Sequence, residues 1–88
     1  VVDMLNDFVY GALTCERGKA IVPATAALLD AARQKGVPVI FCNDAHRKGI
    51  DRELTIWGDH AIAGTPGAEV IPELNLSEGE NKLFFLGM

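Results

Sequence analysis

Between Ile21 and Lys35 apolar residues recur at steps of three and four, at Ala24, Ala27, Leu28 and Ala31, the spacing of a helix. Pro23 suits the first turn and Gly36 stands where a left-handed cap is usual, so the pattern predicts a helix over 21–35. Val37 to Cys42 follows as a short, nearly continuous apolar run, which predicts a strand covered on both faces in a parallel sheet. Val1 and Val2 read as the last residues of another buried strand, and Asp3 to Asn6 as the turn leaving it, because Asp and Asn close turns with their own side chains. Phe8, Val9, Tyr10 and Leu13 make a loosely apolar loop that ends in the polar cluster Thr14 to Lys19. Residues 47–59 form a polar excursion containing Trp57. Thr65 and Pro66 read as the cap and first residue of a short helix through Leu74, and Leu83 to Leu86 as a further strand.

Strand, helix and strand in this order make a right-handed crossover, with both strands ending on the same edge. Asp3 and Asn43-Asp44 are therefore expected to meet there. In open α/β sheets that edge is where ligands bind, so acidic residues from two separate segments should surround one crevice.

Composition narrows the class. Eighty-eight residues, 49% apolar and 23% charged, make one ordinary globular domain at most and exclude a disordered or fibrous chain. No apolar run approaches the roughly 20 residues of a membrane helix. A net charge of −4, with eight Lys and Arg spread along the chain, argues against nucleic acid as a ligand. Cys15 and Cys42 have flanks unlike those of a small disulfide-stapled domain, so both are expected reduced, in a cytoplasmic protein. Val1 and Val2 run straight into Asp3 as though a strand were entered partway, and an open strand-plus-helix pattern leaves edges unpaired, so residues 1–88 read as part of a larger domain.

Chemistry centres on a few residues. Asp44 and His46 lie two apart, so in extended backbone they project to the same side, and His60 is the other histidine. A carboxylate and two imidazoles suit zinc, iron or manganese with positions left for water or substrate. Taken alone, D-x-H with a distant His reads more simply as a turn-forming Asp beside a solvated His. Asp3 is open to an Asx-turn reading, yet its place beside Val2, Met4 and Phe8 on the ligand edge would raise its pKa as a general base requires. Asp7 reads as a surface or capping carboxylate, and Lys82 as either a solvated strand-end lysine or a catalytic one. Cys42 reads as a buried inert thiol, Cys15 has no activating setting, and Gly64-Thr65-Pro66-Gly67 lacks the lysine and length of a phosphate loop.

Several segments together resemble the isochorismatase-like cysteine hydrolases, the superfamily that includes nicotinamidases. Val1-Val2-Asp3-Met4-Leu5-Asn6-Asp7-Phe8 resembles their first strand and turn, and Val39 to His46 their second strand followed by D-x-H. Trp57-Gly58-Asp59-His60 with Gly64-Thr65-Pro66-Gly67-Ala68-Glu69 is similar to their W-x-x-H and G-T-x-G-A segments. The resemblance implies a three-layer α/β/α sandwich with a mostly parallel sheet, of which this chain is the N-terminal part. It implies that Asp3 and Lys82 belong to a Cys, Asp and Lys catalytic set whose Cys lies downstream, leaving the fragment itself inactive. It further implies that Asp44, His46 and His60 hold a divalent metal, with no organic cofactor. The activity implied is hydrolysis of a small-molecule amide through a thioester, nicotinamide being the foremost substrate, in a protein that self-associates and binds neither nucleic acid nor membrane. A vinyl ether hydrolase of isochorismatase type and a catalytically dead binding or scaffolding member are the alternatives. Two features depart from the pattern: Leu83 to Met88 replaces the usual segment after the lysine, and Arg47 to Glu53 lacks the His and Pro that many nicotinamidases carry there. Relatives with this plainer loop include hydrolases with other substrates and metal-free sites.

Overall fold

The computed structural model describes residues 1–76 and 80–85, the last five by their backbone. In chain order these form α1 (Asn6–Val9), α2 (Glu16–Ala20), α3 (Val22–Gln34), β1 (Ile40–Asp44), α4 (Leu54–Trp57), 3-10 turns at Pro66–Ala68 and Pro72–Leu74, and β2 (Asn81–Phe85). β1 and β2 pair in parallel, with Phe41 opposite Lys82 and Asp44 opposite Phe85. Val1 to Asp3 run along the other side of β1: the Cys42 amide donates to Val1 O at 2.8 Å and the Asp3 amide to Cys42 O at 3.0 Å. The strand, helix, strand order read from the sequence is thus present, with β1 in the middle.

The helix over 21–35 is α3, with Pro23 in its first turn. Its period is as read, but its phase is not. Ala24, Ala27, Leu28 and Ala31 face outward, Leu28 at 68% exposure, while Val22 and Leu29 join Met4, Val9, Phe41, Ile71 and Leu74 in the core. Leu28 is as large as Leu29, so size does not set the phase; the face that carries Val22 and Leu29 is the one that joins the core cluster.

β1 begins three residues later than the apolar run. Gly36 takes φ 70, its amide donates to Arg33 O at 3.2 Å and the Val37 amide to Ala32 O at 2.9 Å, closing the helix end. Val37 is thereby committed to the cap and Pro38 has no amide to give, so the ladder starts at Ile40. Nor is the strand covered on both faces. Phe41 and Asn43 are buried, whereas Ile40 is 44% exposed, and Val2, expected at a buried strand end, is 66% exposed.

Three other segments differ from expectation. Residues 6–9, placed in a loop, form α1, and the polar cluster contains α2, whose first turn is capped by Cys15 Sγ accepting from the Gly18 amide at 3.3 Å. The single helix expected through Leu74 is two short turns, because Pro72 cannot continue a helix begun at Pro66. Between them Val70 pairs with Leu5 in an antiparallel bridge. The last strand runs over Asn81–Phe85; Leu86, the end of the expected one, lies outside the described residues.

Candidate functional site

Asp3 and Asp44 meet at the carboxyl edge of the sheet. Asp3 has a left-handed backbone, φ 55, a conformation aspartate tolerates better than most residues. Its Oδ1 accepts the Asp44 amide at 2.9 Å. Burial pushes the Asp3 carboxyl above the ordinary carboxylate range; the Asp44 amide pulls part of the way back, and the Asp44 charge adds to the rise.

Beyond β1 the chain lays a second segment alongside. The His46 amide donates to Ala61 O at 2.8 Å and the Ala63 amide to His46 O at 2.9 Å, which brings His60 beside His46. The two rings meet edge to face with centroids 4.8 Å apart, and Phe8 packs on His60 at 5.6 Å. Both imidazoles are buried. His60 Nδ1 lies 2.7 Å from Gly58 O, and His46 Nδ1 lies 3.1 Å from Asp51 Oδ2. The sequence-predicted trio Asp44, His46 and His60 is therefore brought together.

A fourth residue joins them. Glu53, immediately ahead of α4, places Oε1 3.2 Å from His46 Nε2 and 3.3 Å from His60 Nε2, while Asp44 Oδ2 stands 3.4 Å from His46 Nε2. One ligand-type atom from each of the four lies within 4.8 Å of the others. Donors about 2.0–2.1 Å from a tetrahedral zinc stand roughly 3.3 Å apart, so these separations suit a bound ion. His46 Nε2 is buried and has no hydrogen-bond partner despite its carboxylate neighbours. An acceptor-rich cluster with such an orphaned nitrogen, two imidazoles and two carboxylates fits a divalent metal.

Glu53 was not singled out in the sequence, where it is one charge among several in a polar loop. Asp51 was missed likewise: it is buried at 4% exposure, and the Arg47 amide, which it accepts, holds its carboxyl below the ordinary range together with His46 and the Arg47 guanidinium. Asp7, expected as a surface or capping carboxylate, is half-buried within α1 and caps none of the described helices; it bridges two segments instead. Its Oδ2 accepts the Ala61 amide at 2.8 Å, tying α1 to the segment that carries His60. Lys82 lies in β2 opposite Phe41, three residues short of the level of Asp44; its side chain lies outside the described residues. Cys15 and Cys42 are free thiols.

Together these groups bound a cleft of about 460 Å³, within the size range of small-molecule sites. Asp3, Asp44, Glu53 and His60 supply its polar side, and Phe8, Leu13 and Trp57 its apolar side. Among the described residues no helix is long and apolar enough to cross a membrane.

At the carboxyl edge of this α/β sheet a carboxylate and a carboxylate–imidazole cluster therefore surround one cleft. The chain belongs to the isochorismatase family: the Isochorismatase domain matches residues 1–85. It is 37% identical to a probable inactive nicotinamidase of Arabidopsis thaliana over 92% of this chain and 46% of that protein. Among solved structures it is similar to N-carbamoylsarcosine amidase from Thermoplasma acidophilum, with 36% identity, a TM-score of 0.85, and 96% of this chain and 48% of that one covered. It is also similar to the pyrazinamidase of Pyrococcus horikoshii in complex with zinc, with 28% identity, a TM-score of 0.84, and all of this chain and 50% of that one covered. The α/β fold of these hydrolases is the fold of this chain, which spans about half the length of the relatives it matches. Relatives of this family include amidases, and one structural neighbour carries zinc.

Proposed function

We propose that residues 1–88 are the N-terminal part of a single hydrolase domain that cleaves an amide C–N bond of a small molecule, with nicotinamide as the first substrate to test. The observation that carries this reading is the convergence of Asp3 with Asp44, Glu53 and His60 on one cleft, with the buried His46 completing the cluster formed by the last three. Asp3 is assigned the general base. With its carboxyl raised by burial it accepts the proton of a cysteine thiol contributed by the rest of the domain; the thiolate sulfur bonds to the amide carbonyl carbon. As the C–N bond breaks, Asp3 returns that proton to the departing nitrogen, and water then hydrolyses the thioester. Lys82 is assigned the cation that favours the thiolate.

Asp44, His46, Glu53 and His60 would hold the metal, which when bound supplies a Lewis acid and ordered waters to orient the substrate. Phe8 and Trp57, flanking the cleft, offer faces against which a planar ring can lie. Glu53 comes from the very loop that lacks the nicotinamidase His and Pro, and supplies a ligand-type oxygen in their absence.

The test is ammonia release from nicotinamide and from N-carbamoyl substrates by the full-length protein and its Asp3→Ala variant. Loss of several orders of magnitude in kcat supports the assignment, since residues acting as a unit fail together; near-normal turnover by the variant refutes it. The name of the Arabidopsis relative favours a second reading, a catalytically silent binding member. Ser, Ala or Gly in place of the downstream nucleophilic cysteine would select that reading, and cysteine would select hydrolysis.

A further inference from the structure

We infer that Asp51 is a positioning residue that fixes His46 in its metal-binding tautomer, a role that rests on reading the four-residue cluster as a metal site. Asp51 is buried, and every partner placed around its carboxylate is a donor or can become one. Oδ2 accepts the Arg47 backbone amide at 3.0 Å and faces His46 Nδ1 at 3.1 Å. Oδ1 accepts Arg47 Nε at 3.0 Å and lies 2.9 Å from Nη2. An ionised carboxylate only accepts, so the proton of a neutral His46 must sit on Nδ1. Nε2 is then left as a bare lone pair.

The nitrogen that bears it lies 3.2 Å from Glu53 Oε1 and 3.4 Å from Asp44 Oδ2, with no hydrogen-bond partner. With the proton on Nε2 instead, a positive hydrogen would face the two carboxylates, and a small turn of either carboxylate would satisfy the cluster without a metal. With the proton held on Nδ1, two carboxylates and a lone pair face one another, and a cation between them relieves the repulsion. Asp51 thereby turns a cluster that could close on itself into one that takes a cation. His60 is oriented through its Nδ1 by a neutral carbonyl, Gly58 O, so of the two rings His46 alone has a charged partner at Nδ1. Loss of such an outer partner lowers metal affinity by about 10- to 100-fold.

The experiment compares the full-length protein with Asp51→Leu and Asp51→Asn. Zinc affinity is measured by competition with a chelator, and the His46 tautomer by ¹⁵N NMR of the metal-stripped protein. Asn can turn its carbonyl oxygen to both His46 Nδ1 and the Arg47 amide while the half-exposed guanidinium swings outward, so it should preserve the tautomer and most of the affinity. Leu offers no acceptor. The expected result is an Nδ1-protonated His46 in wild type and Asp51→Asn, an Nε2-protonated one in Asp51→Leu, and zinc binding weakened about 10- to 100-fold in Asp51→Leu alone. A folded Asp51→Leu protein with wild-type zinc affinity overturns the role of Asp51 and leaves the metal reading standing. Wild-type protein that takes up no zinc overturns the metal reading and this role with it. Should Asp51→Leu fail to fold, the wild-type spectrum decides: a proton on Nε2 of His46 overturns the inference, and one on Nδ1 with zinc affinity kept in Asp51→Asn supports it.

Discussion

Asp7 and Gly67 should be coupled so strongly that the effect of one substitution changes sign with the other. Ala61 is fully buried, with φ 44, and its amide donates to Asp7 Oδ2 at 2.8 Å. Asp7→Ala strands that amide, at a cost of about 1–3 kcal/mol. At Gly67 a Cβ would fall 2.1 Å from Asp7 Oδ2, 2.5 Å from Cγ and 2.8 Å from Oδ1, and these are its three nearest neighbours. Gly67→Ala must therefore displace the carboxylate and break the same bond, for a similar loss of about 1–3 kcal/mol. Once Asp7 is already Ala the obstruction is gone. Gly67 has no left-handed φ to protect, so alanine there should then be neutral or stabilising by about 0.4–1 kcal/mol through the unfolded state. Urea denaturation of wild type, both single variants and the double variant, all in the full-length protein, measures the cycle. Two single losses that add to within about 0.5 kcal/mol would refute the bracket. Zinc titration of the same four proteins asks whether the bracket also places His60, since Ala61 follows it directly; affinity should fall with Asp7→Ala and fall no further in the double variant.

Asp3 carries a pH signature. Its folded pKa lies above the unfolded 3.8, so the stability it contributes is present below 3.8 and is lost as pH rises through the raised value. Asp3→Asn, which can still accept the Asp44 amide, should accordingly gain on wild type in denaturation midpoint as pH increases across that window, and a difference independent of pH would sink the shift; the acid limb of kcat/KM should also lie above 3.8. Phe41 is fully buried in β1, and Phe41→Ala should cost about 3–5 kcal/mol in chemical denaturation, a loss below about 1 kcal/mol showing that the core is organised otherwise. Zinc added at about 100 times its dissociation constant should stabilise the full-length protein by about 2.7 kcal/mol against urea. The same addition should leave His60→Ala, tested at the same zinc concentration, nearly unchanged; equal stabilisation of both would remove His60 from the site.

What the sequence disclosed and what it hid follow from the range of the interactions. Asp44 and His46 sit on one extended segment, so their common side is a matter of local geometry, and the crossover rule carries Asp3 to the same edge without knowledge of any contact. The period of α3 is local too, but its phase is not: it depends on Val22 and Leu29 joining a core cluster whose other members, among them Phe41, Ile71 and Leu74, are distant in sequence. Strand onset at Ile40 was hidden for a different reason. Hydrophobicity marks Val37 as strand, while the backbone hydrogen bonds of the preceding helix end take its amide, and only the pairing of Gly36 and Pro38 in the sequence hinted at that competition.

Glu53 and Asp51 show where residue types stop being informative. In a loop reading Arg47-Lys48-Gly49-Ile50-Asp51-Arg52-Glu53, each acid has a basic neighbour close in sequence and would pass for half of a solvated ion pair. Asp51 does pair with Arg47, at 2.9 Å, but the same carboxylate is wholly buried and reaches His46 with its other oxygen. Arg47 neutralises and aims a charge whose work is done on the opposite side. The loop's charge pattern thus has two outcomes from one composition: Arg52 and Lys48 remain at the surface, while Asp51 is buried against Nδ1 of His46 and Glu53 faces Nε2 of both His46 and His60. Histidine separated by two from a strand-end aspartate should therefore be read together with the acids of the loop that follows, since a buried imidazole needs one partner for each nitrogen.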